Sequence, residues 1–130
     1  MDEPIPLAAR ILVGVCLLGG AWTVRTITRR AADGRLGRNQ LAGLRTTATL
    51  RSDEAWRAGH RAGLPSNEIG ATGLALAGLA ILVLPDGVAL IAVSLGGAVW
   101  AVGWLLHAMV LANRAARVVE PDRPAADDEK

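Results

Sequence analysis

The sequence predicts an all-α integral membrane protein: a three-helix bundle with a long polar loop between its first two helices. Apolar residues make up 52% of the 130 residues and charged residues only 20%, a balance typical of membrane proteins. The apolar residues form three blocks, and each is long enough, at about 1.5 Å of helix per residue, to cross most of a bilayer core. Nine of the fourteen basic residues fall in the loop between the first two blocks.

Residues 7–24 form the first predicted span. Pro4 and Pro6 precede it, and a proline suits the first turn of a helix. A cleaved signal peptide is the alternative reading, but acidic residues precede this block and no small-residue cleavage site follows it. We therefore predict an uncleaved anchor, with residues 1–6 outside the membrane.

Residues 68–84 and 88–112 form the second and third predicted spans. Ser66 or Asn67 is expected to cap the second helix at its N-terminus. The turn at 85–87, Pro-Asp-Gly, is too short for anything but an antiparallel helical hairpin. The polar tail, residues 113–130, is expected to be disordered.

Basic residues predict the orientation. The loop at 25–67 carries nine arginines, whereas the 85–87 turn carries none. Because Lys and Arg favour the cytoplasmic side, we expect the loop and the tail in the cytoplasm and the N-terminus and the 85–87 turn outside.

A short amphipathic helix is predicted inside the loop. Ser52 is its expected N-cap, followed by two acids in the first turn, where they complement the helix dipole. At 100° per residue, one side carries Asp53, Glu54, Arg57, His60 and Arg61. The other side carries alanine and glycine, with Trp56 at the boundary, and this small-residue face suits packing against other helices.

The loop segment before this helix combines glycines, arginines and threonines, which are the components of an anion site. Its spacing matches neither common phosphate-binding glycine motif. Two alternatives remain open: the arginines bind anionic lipid headgroups, or Arg45 forms an ion pair with Asp53 or Glu54.

Catalysis is not expected. No serine or cysteine has a partnered base, and His60 and His107 lack further ligands at metal-binding spacing. We therefore predict no enzyme activity, no metal and no cofactor. Nucleic-acid binding is not expected either, because the basic loop is held at a membrane and carries one aromatic residue for stacking.

The run from Gly34 to Arg61 resembles the signature of the SdpI family of bacterial membrane proteins. The residues that carry the resemblance follow one another in the family's order: Arg38, Asn39, Gly43, Arg45, Thr46, Thr49, Ser52, Ala55, Trp56 and His60. The resemblance implies a protein of the bacterial plasma membrane that gives immunity to a secreted toxic peptide. In the signalling version of the family it implies a protein that, once engaged by the toxin, holds a transcriptional repressor at the membrane.

Two functions therefore compete. The first is an SdpI-like immunity or signalling protein whose cytoplasmic loop is the working surface, with membrane lipids and a cytoplasmic regulator as partners. The second is a small accessory subunit that packs against a larger membrane complex or against copies of itself. On either reading, we expect Arg38, Asn39, Arg45 and Thr46 to converge with Trp56 and His60 on one polar site beneath the helices.

Overall fold

Three long helices make up most of the structure. The computed structural model describes residues 4–119, and its helices are α1 (Leu7–Ala32), α2 (Asp53–Val83) and α3 (Val88–Arg117). All three are long and apolar enough to cross a membrane. The predicted all-α class and the three membrane-crossing helices are confirmed.

The helices lie side by side, with α2 in the middle. No Cα atom of α1 lies within 8 Å of a Cα atom of α3, whereas α2 packs against both. The connection between α1 and α2, residues 33–52, folds across one end of the helices, which we call the loop end. The short α2–α3 connection lies at the opposite end, which we call the turn end.

Small residues allow α2 to approach both neighbours closely. A Cβ atom added to Gly14 of α1 would lie 3.1 Å from the carbonyl oxygen of Gly78, and one added to Gly78 would lie equally close to that of Gly14. On the other side of α2, a Cβ atom at Gly63 would lie 3.1 Å from the carbonyl oxygen of Ala108. Close backbone packing of this kind holds helices together in lipid.

The predicted short loop helix is not a separate element. Ser52 is its N-cap, as predicted, and its hydroxyl accepts the Ala55 N–H at 3.0 Å. The helix then continues through Pro65 to Val83, so the predicted new start at Ser66 or Asn67 is wrong. Those two side chains are buried against the neighbouring helices, and membrane helices tolerate an internal proline where nearby groups compensate.

Polar contacts between helices explain why Ser66 and Asn67 do not cap. The Ser66 hydroxyl lies 3.0 Å from Nδ1 of His107 on α3, and the Asn67 amide donates to the Thr28 hydroxyl of α1 at 2.8 Å. Next to them, Glu68 accepts ion pairs from Arg25 and Arg29 of α1. These contacts join α2 to both neighbours near the loop end.

The predicted spans at 7–24 and 88–112 are also shorter than the helices that contain them. α1 continues past residue 24 to Ala32, and α3 continues past residue 112 to Arg117. The first residues of the predicted disordered tail are therefore helical. Its remainder, residues 120–130, lies outside the described residues, as do residues 1–3 of the predicted N-terminal segment.

An arginine from elsewhere in the chain bonds the carbonyls at the C-terminus of each helix. Arg61 donates to the Ala32 carbonyl of α1 at 3.1 Å, and Arg51 donates to the Ala116 carbonyl of α3 at 3.2 Å. Arg10 donates to the Ile81 carbonyl of α2 and to the Leu84 carbonyl just beyond it. The last carbonyls of a helix lack partners within the helix, and cations are favoured at that end.

Replacing Arg10 with methionine is therefore expected to lower the free energy of unfolding by about 1–3 kcal/mol, the cost of leaving buried polar groups without partners. The Arg10 side chain is only 15% exposed and also contacts Asp86 at 3.7 Å. Thermal unfolding in detergent measures the loss, and Arg114→Gln is the control, because Arg114 is exposed at the other end of the molecule. Equal melting temperatures for Arg10→Met and the wild type would contradict this role.

Candidate functional site

The loop end carries the candidate site. Residues 33–52 are not helical, yet they form an ordered layer with the first turns of α2 and the end of α3, which we call the loop layer. Leu44 is 3% exposed and packs against Ala108 and Ala112 of α3. Ala48 packs in the same way against Ala116. The loop is thus bound to the helices by its own apolar residues.

Trp56 and His60 form the centre of the loop layer. Their rings lie 4.2 Å apart, and both side chains are buried. The Trp56 indole N–H donates to the Leu36 carbonyl at 2.8 Å. His60 lies on the side of the helix that carries the charged residues, as predicted, but the loop covers it and buries it against Trp56.

The contacts of His60 determine its protonation. Its Nδ1 lies 2.8 Å from the Trp56 carbonyl, and its Nε2 lies 2.8 Å from the Leu44 backbone nitrogen. A carbonyl only accepts and a backbone N–H only donates, so Nδ1 carries the proton and Nε2 is the acceptor. A neutral His60 therefore joins α2 to the loop.

Gly43 is the point at which the loop passes closest to these rings. Its φ angle is +105°, a conformation that favours glycine. A Cβ atom here would lie 2.6 Å from Nε2 of His60 and 2.9 Å from Cη2 of Trp56. This position of the motif therefore requires glycine for two independent reasons.

Threonines fix the next turn of the loop. The Thr46 N–H donates to the Thr49 hydroxyl oxygen at 2.8 Å, and the Thr49 N–H donates to the Thr46 hydroxyl oxygen at 3.1 Å. Thr49 is fully buried and donates to the Leu44 carbonyl at 2.8 Å. Side-chain bonds of this kind replace helix or sheet pairing in a loop. Together with the Ser52 cap, these threonines have a structural role.

Arg38 and Arg45 are exposed on the surface, whereas Trp56 and His60 are buried, so they do not form the single polar site that the sequence predicts. Arg38 donates to the Asp53 carboxylate at 2.7 Å and to the Leu50 carbonyl at 3.2 Å. Arg45 donates to the Gln40 carbonyl and is exposed. Of the two alternatives left open for Arg45, the ion pair with Asp53 is made by Arg38 instead.

Leu41 is a surface feature that sequence reasoning missed. The Asn39 carboxamide oxygen accepts the N–H groups of Leu41 and Ala42 at 3.0 and 2.8 Å. This turn leaves Leu41 90% exposed, in the stretch of loop between Arg38 and Arg45. The signal was a leucine that follows an Asn-Gln pair, where Asn commonly forms such a turn.

A small cavity of about 170 Å³ opens beside Trp56, and Gly34, Asp53 and Arg57 are among the residues that line it. Among residues 4–119, no group of three or more His, Cys, Asp or Glu side chains is placed to hold a metal ion. The chemistry this surface offers is that of arginine N–H donors, a carboxylate and one exposed leucine.

A family model for the SdpI/YfhL protein family matches residues 35–112, more than half of the chain. The chain belongs to the SdpI/YfhL family. The matched region contains every motif residue named above, together with α2 and most of α3, so the resemblance read from the loop is confirmed. No curated protein and no solved structure matches the chain. This SdpI/YfhL member is a multi-pass membrane protein whose family motif builds the loop layer.

The pH dependence of this SdpI/YfhL loop layer follows from His60, which precedes the predicted span 68–84 by about two helical turns. Burial lowers the pKa of His60 below its ordinary value of 6.5, and the hydrogen bond to the Trp56 carbonyl opposes this shift. Because the pKa is lower in the folded state, His60 contributes full stability above about pH 6.5, and this contribution falls as the pH drops below that value.

The expected result is that the loop layer opens more readily at pH 5.5 than at pH 7.5, measured by limited trypsin digestion at the loop arginines. His60→Gln is the matched control, because its side-chain oxygen can still accept the Leu44 N–H and does not titrate in this range. Because trypsin itself is less active at acid pH, the rates are compared between the two proteins at each pH, and an equal pH dependence in the wild type and His60→Gln would contradict this role.

Proposed function

We propose that this chain is an SdpI-like immunity or signalling protein whose loop layer is a working surface in the cytoplasm. One observation carries the proposal: next to the buried residues Leu44, Thr49, Trp56 and His60, which we call the base, the same stretch of loop exposes Arg38, Leu41 and Arg45. Arginine is enriched among the residues that dominate protein interfaces, and an exposed apolar side chain nearby in the loop offers surface that a partner can bury. The motif residues therefore fall into two groups: buried residues that hold the loop layer together, and exposed residues that would contact a partner.

The proposed partner is a soluble regulator that carries acidic groups. The surface offers exposed guanidinium groups, which bind carboxylates with two parallel hydrogen bonds. No catalytic step is part of this proposal. In this proposal a toxic peptide would bind at the membrane and act on the regulator through the helices, and the identity of the peptide is not needed for the first test.

The test is photo-cross-linking in living bacteria from a benzoyl-phenylalanine at position 41. We expect a cross-link to a soluble protein, and we expect Arg45→Ala to reduce it while the melting temperature stays unchanged, because Arg45 is exposed. A cross-linker at position 95 is the control, since Leu95 is 63% exposed on α3 within the predicted third span. Position 41 fails the test if it captures only membrane components.

The orientation of the protein in the membrane is tested separately. In a Cys16→Ser background, a cysteine at position 41 is expected to react with a membrane-impermeant maleimide only after the membrane is permeabilised. A cysteine at the exposed position 85 is expected to react in intact cells. The reverse pattern would place the loop outside and would remove the proposed cytoplasmic regulator.

A second candidate function, an accessory subunit, has one observation in its favour. α1 and α3 leave an apolar groove over α2, lined by residues such as Val24, Leu74 and Leu105. Asn67, which also lines this groove, has a buried Oδ1 atom without a hydrogen-bond partner among the described residues. A helix from another subunit could cover this side. Purification in mild detergent separates the two functions, because a stoichiometric large complex that survives Arg45→Ala supports the accessory role.

A further inference from the structure

A second groove lies between α1 and α2, apart from the loop layer. It has a volume of about 620 Å³ and an almost wholly apolar lining, which includes Val15, Leu18, Gly19, Ala75 and Leu76. Gly19 widens it, because a Cβ atom added there would meet no heavy atom within 4 Å. The groove is long and open along one side, so an extended apolar chain could enter it from the bilayer.

Positively charged side chains lie at the end of this groove that is nearest the loop end. Arg25 is part of its lining, and Arg29 follows one turn further along α1 and shares the partner of Arg25. Both guanidinium groups contact the single carboxylate of Glu68, which leaves a net charge of about +1 for the three groups. Their side chains are 43% and 55% exposed, so they keep N–H donors for a further ligand.

Trp22 indicates how deep in the membrane this charged end of the groove lies. Its side chain is 71% exposed, it lines the groove, and it lies one turn from Arg25. Tryptophans are enriched at the level of lipid headgroups, where one end of the ring is apolar and the other is wet. The apolar groove therefore runs into the membrane from a cationic site at headgroup depth.

We propose that this groove binds one anionic phospholipid, with an acyl chain along the apolar lining and the phosphate on Arg25 and Arg29. Charge complementarity selects this occupant: arginine forms paired hydrogen bonds to phosphate, and the net positive charge favours a lipid with a net negative headgroup over a zwitterionic one. This site goes beyond the proposed function and does not depend on it, since it involves neither the loop surface nor a protein partner.

The first test fills the groove. The full chain, purified in detergent, is incubated with phosphatidylglycerol, and the bound lipid is counted by native mass spectrometry. Gly19→Leu is expected to lower the bound fraction by roughly tenfold, since losing the burial of two methylene groups already has an effect of that size. Gly96→Leu is the matched control: Gly96 of α3 is exposed, meets nothing within 4 Å, and should leave lipid binding unchanged.

The second test removes the charge. Arg25→Gln is expected to lower the preference for phosphatidylglycerol over phosphatidylcholine by about fivefold, the effect of one arginine near a charged headgroup. Arg29 still pairs with Glu68 in this variant, and Arg114→Gln is a control with the same change in net charge. Equal binding of the two lipids to the wild type, or equal losses in Gly19→Leu and Gly96→Leu, would overturn the proposal.

Discussion

Replacing Trp56 with alanine is expected to lower the free energy of unfolding by about 3–5 kcal/mol, the usual cost of truncating a large buried aromatic residue. The Trp56 side chain is 1% exposed, packs on His60 and donates to the Leu36 carbonyl. Its loss would leave a cavity at the centre of the loop layer and an unpaired carbonyl in the loop. Chemical unfolding in detergent measures the stability, and the rate of trypsin cleavage in the loop measures the local effect.

Two further variants test whether the loss of stability comes from the packing of Trp56 or from the removal of any tryptophan. Trp22→Ala removes a side chain that is 71% exposed, so its effect on unfolding is expected to be small. Trp56→Phe keeps most of the packing and loses the indole hydrogen bond, so its stability should lie between those of the wild type and Trp56→Ala. The interpretation fails if Trp56→Ala and Trp22→Ala have the same effect.

Replacing Gly43 with valine is expected to open the loop layer and to lower the free energy of unfolding by about 2–5 kcal/mol. The estimate combines a left-handed backbone conformation, at about 1–2 kcal/mol for a non-glycine residue, with overpacking, at about 1–3 kcal/mol. The new Cβ atom would displace either Trp56 or His60 from its present position. Faster loop proteolysis and weaker tryptophan burial, seen as a red shift in fluorescence, would accompany the loss of stability.

Gly37→Ala is the matched control for Gly43. Gly37 lies in the same loop, is exposed, has no positive φ angle, and would place its new Cβ atom more than 4 Å from its neighbours. We expect its stability to equal that of the wild type. A stable Gly43→Val protein with a protease-resistant loop would show that the contact between the loop and the two rings is dispensable.

The membrane-crossing helices could be predicted because the information is local. Each apolar block is continuous in sequence, and Ser52 lies next to the two acids of the first turn of α2, so composition and spacing are enough. The wrong start predicted for the second helix, at Ser66 or Asn67, arose because a capping sequence and an interhelical contact use the same residue types. Only the positions of Thr28 and His107, which are distant in sequence, distinguish the two.

The arginine contacts could not be predicted for the same reason. Arg10 and Ile81, like Arg51 and Ala116, are brought together only by the way the helices pack, and nothing near either arginine in sequence identifies its partner. His60 shows a related limit. A projection around the helix axis places it beside charged residues, but the loop that folds over it comes from a different part of the chain. The motif residues could be recognised from the sequence. Which of them are buried in the loop layer and which are exposed could not.

Hydrogen exchange of the loop tests most directly whether the family motif forms a rigid base. In the purified wild-type protein, the amide of Leu44, which donates to His60, and the amides of Thr46 and Thr49, which donate to each other's hydroxyl groups, are expected to exchange slowly although they lie outside any helix. In Trp56→Ala the same amides are expected to exchange rapidly, while the amides of α3 keep their protection. Rapid exchange at residues 44–49 in the wild type would contradict the existence of the base and, with it, the working surface proposed above it.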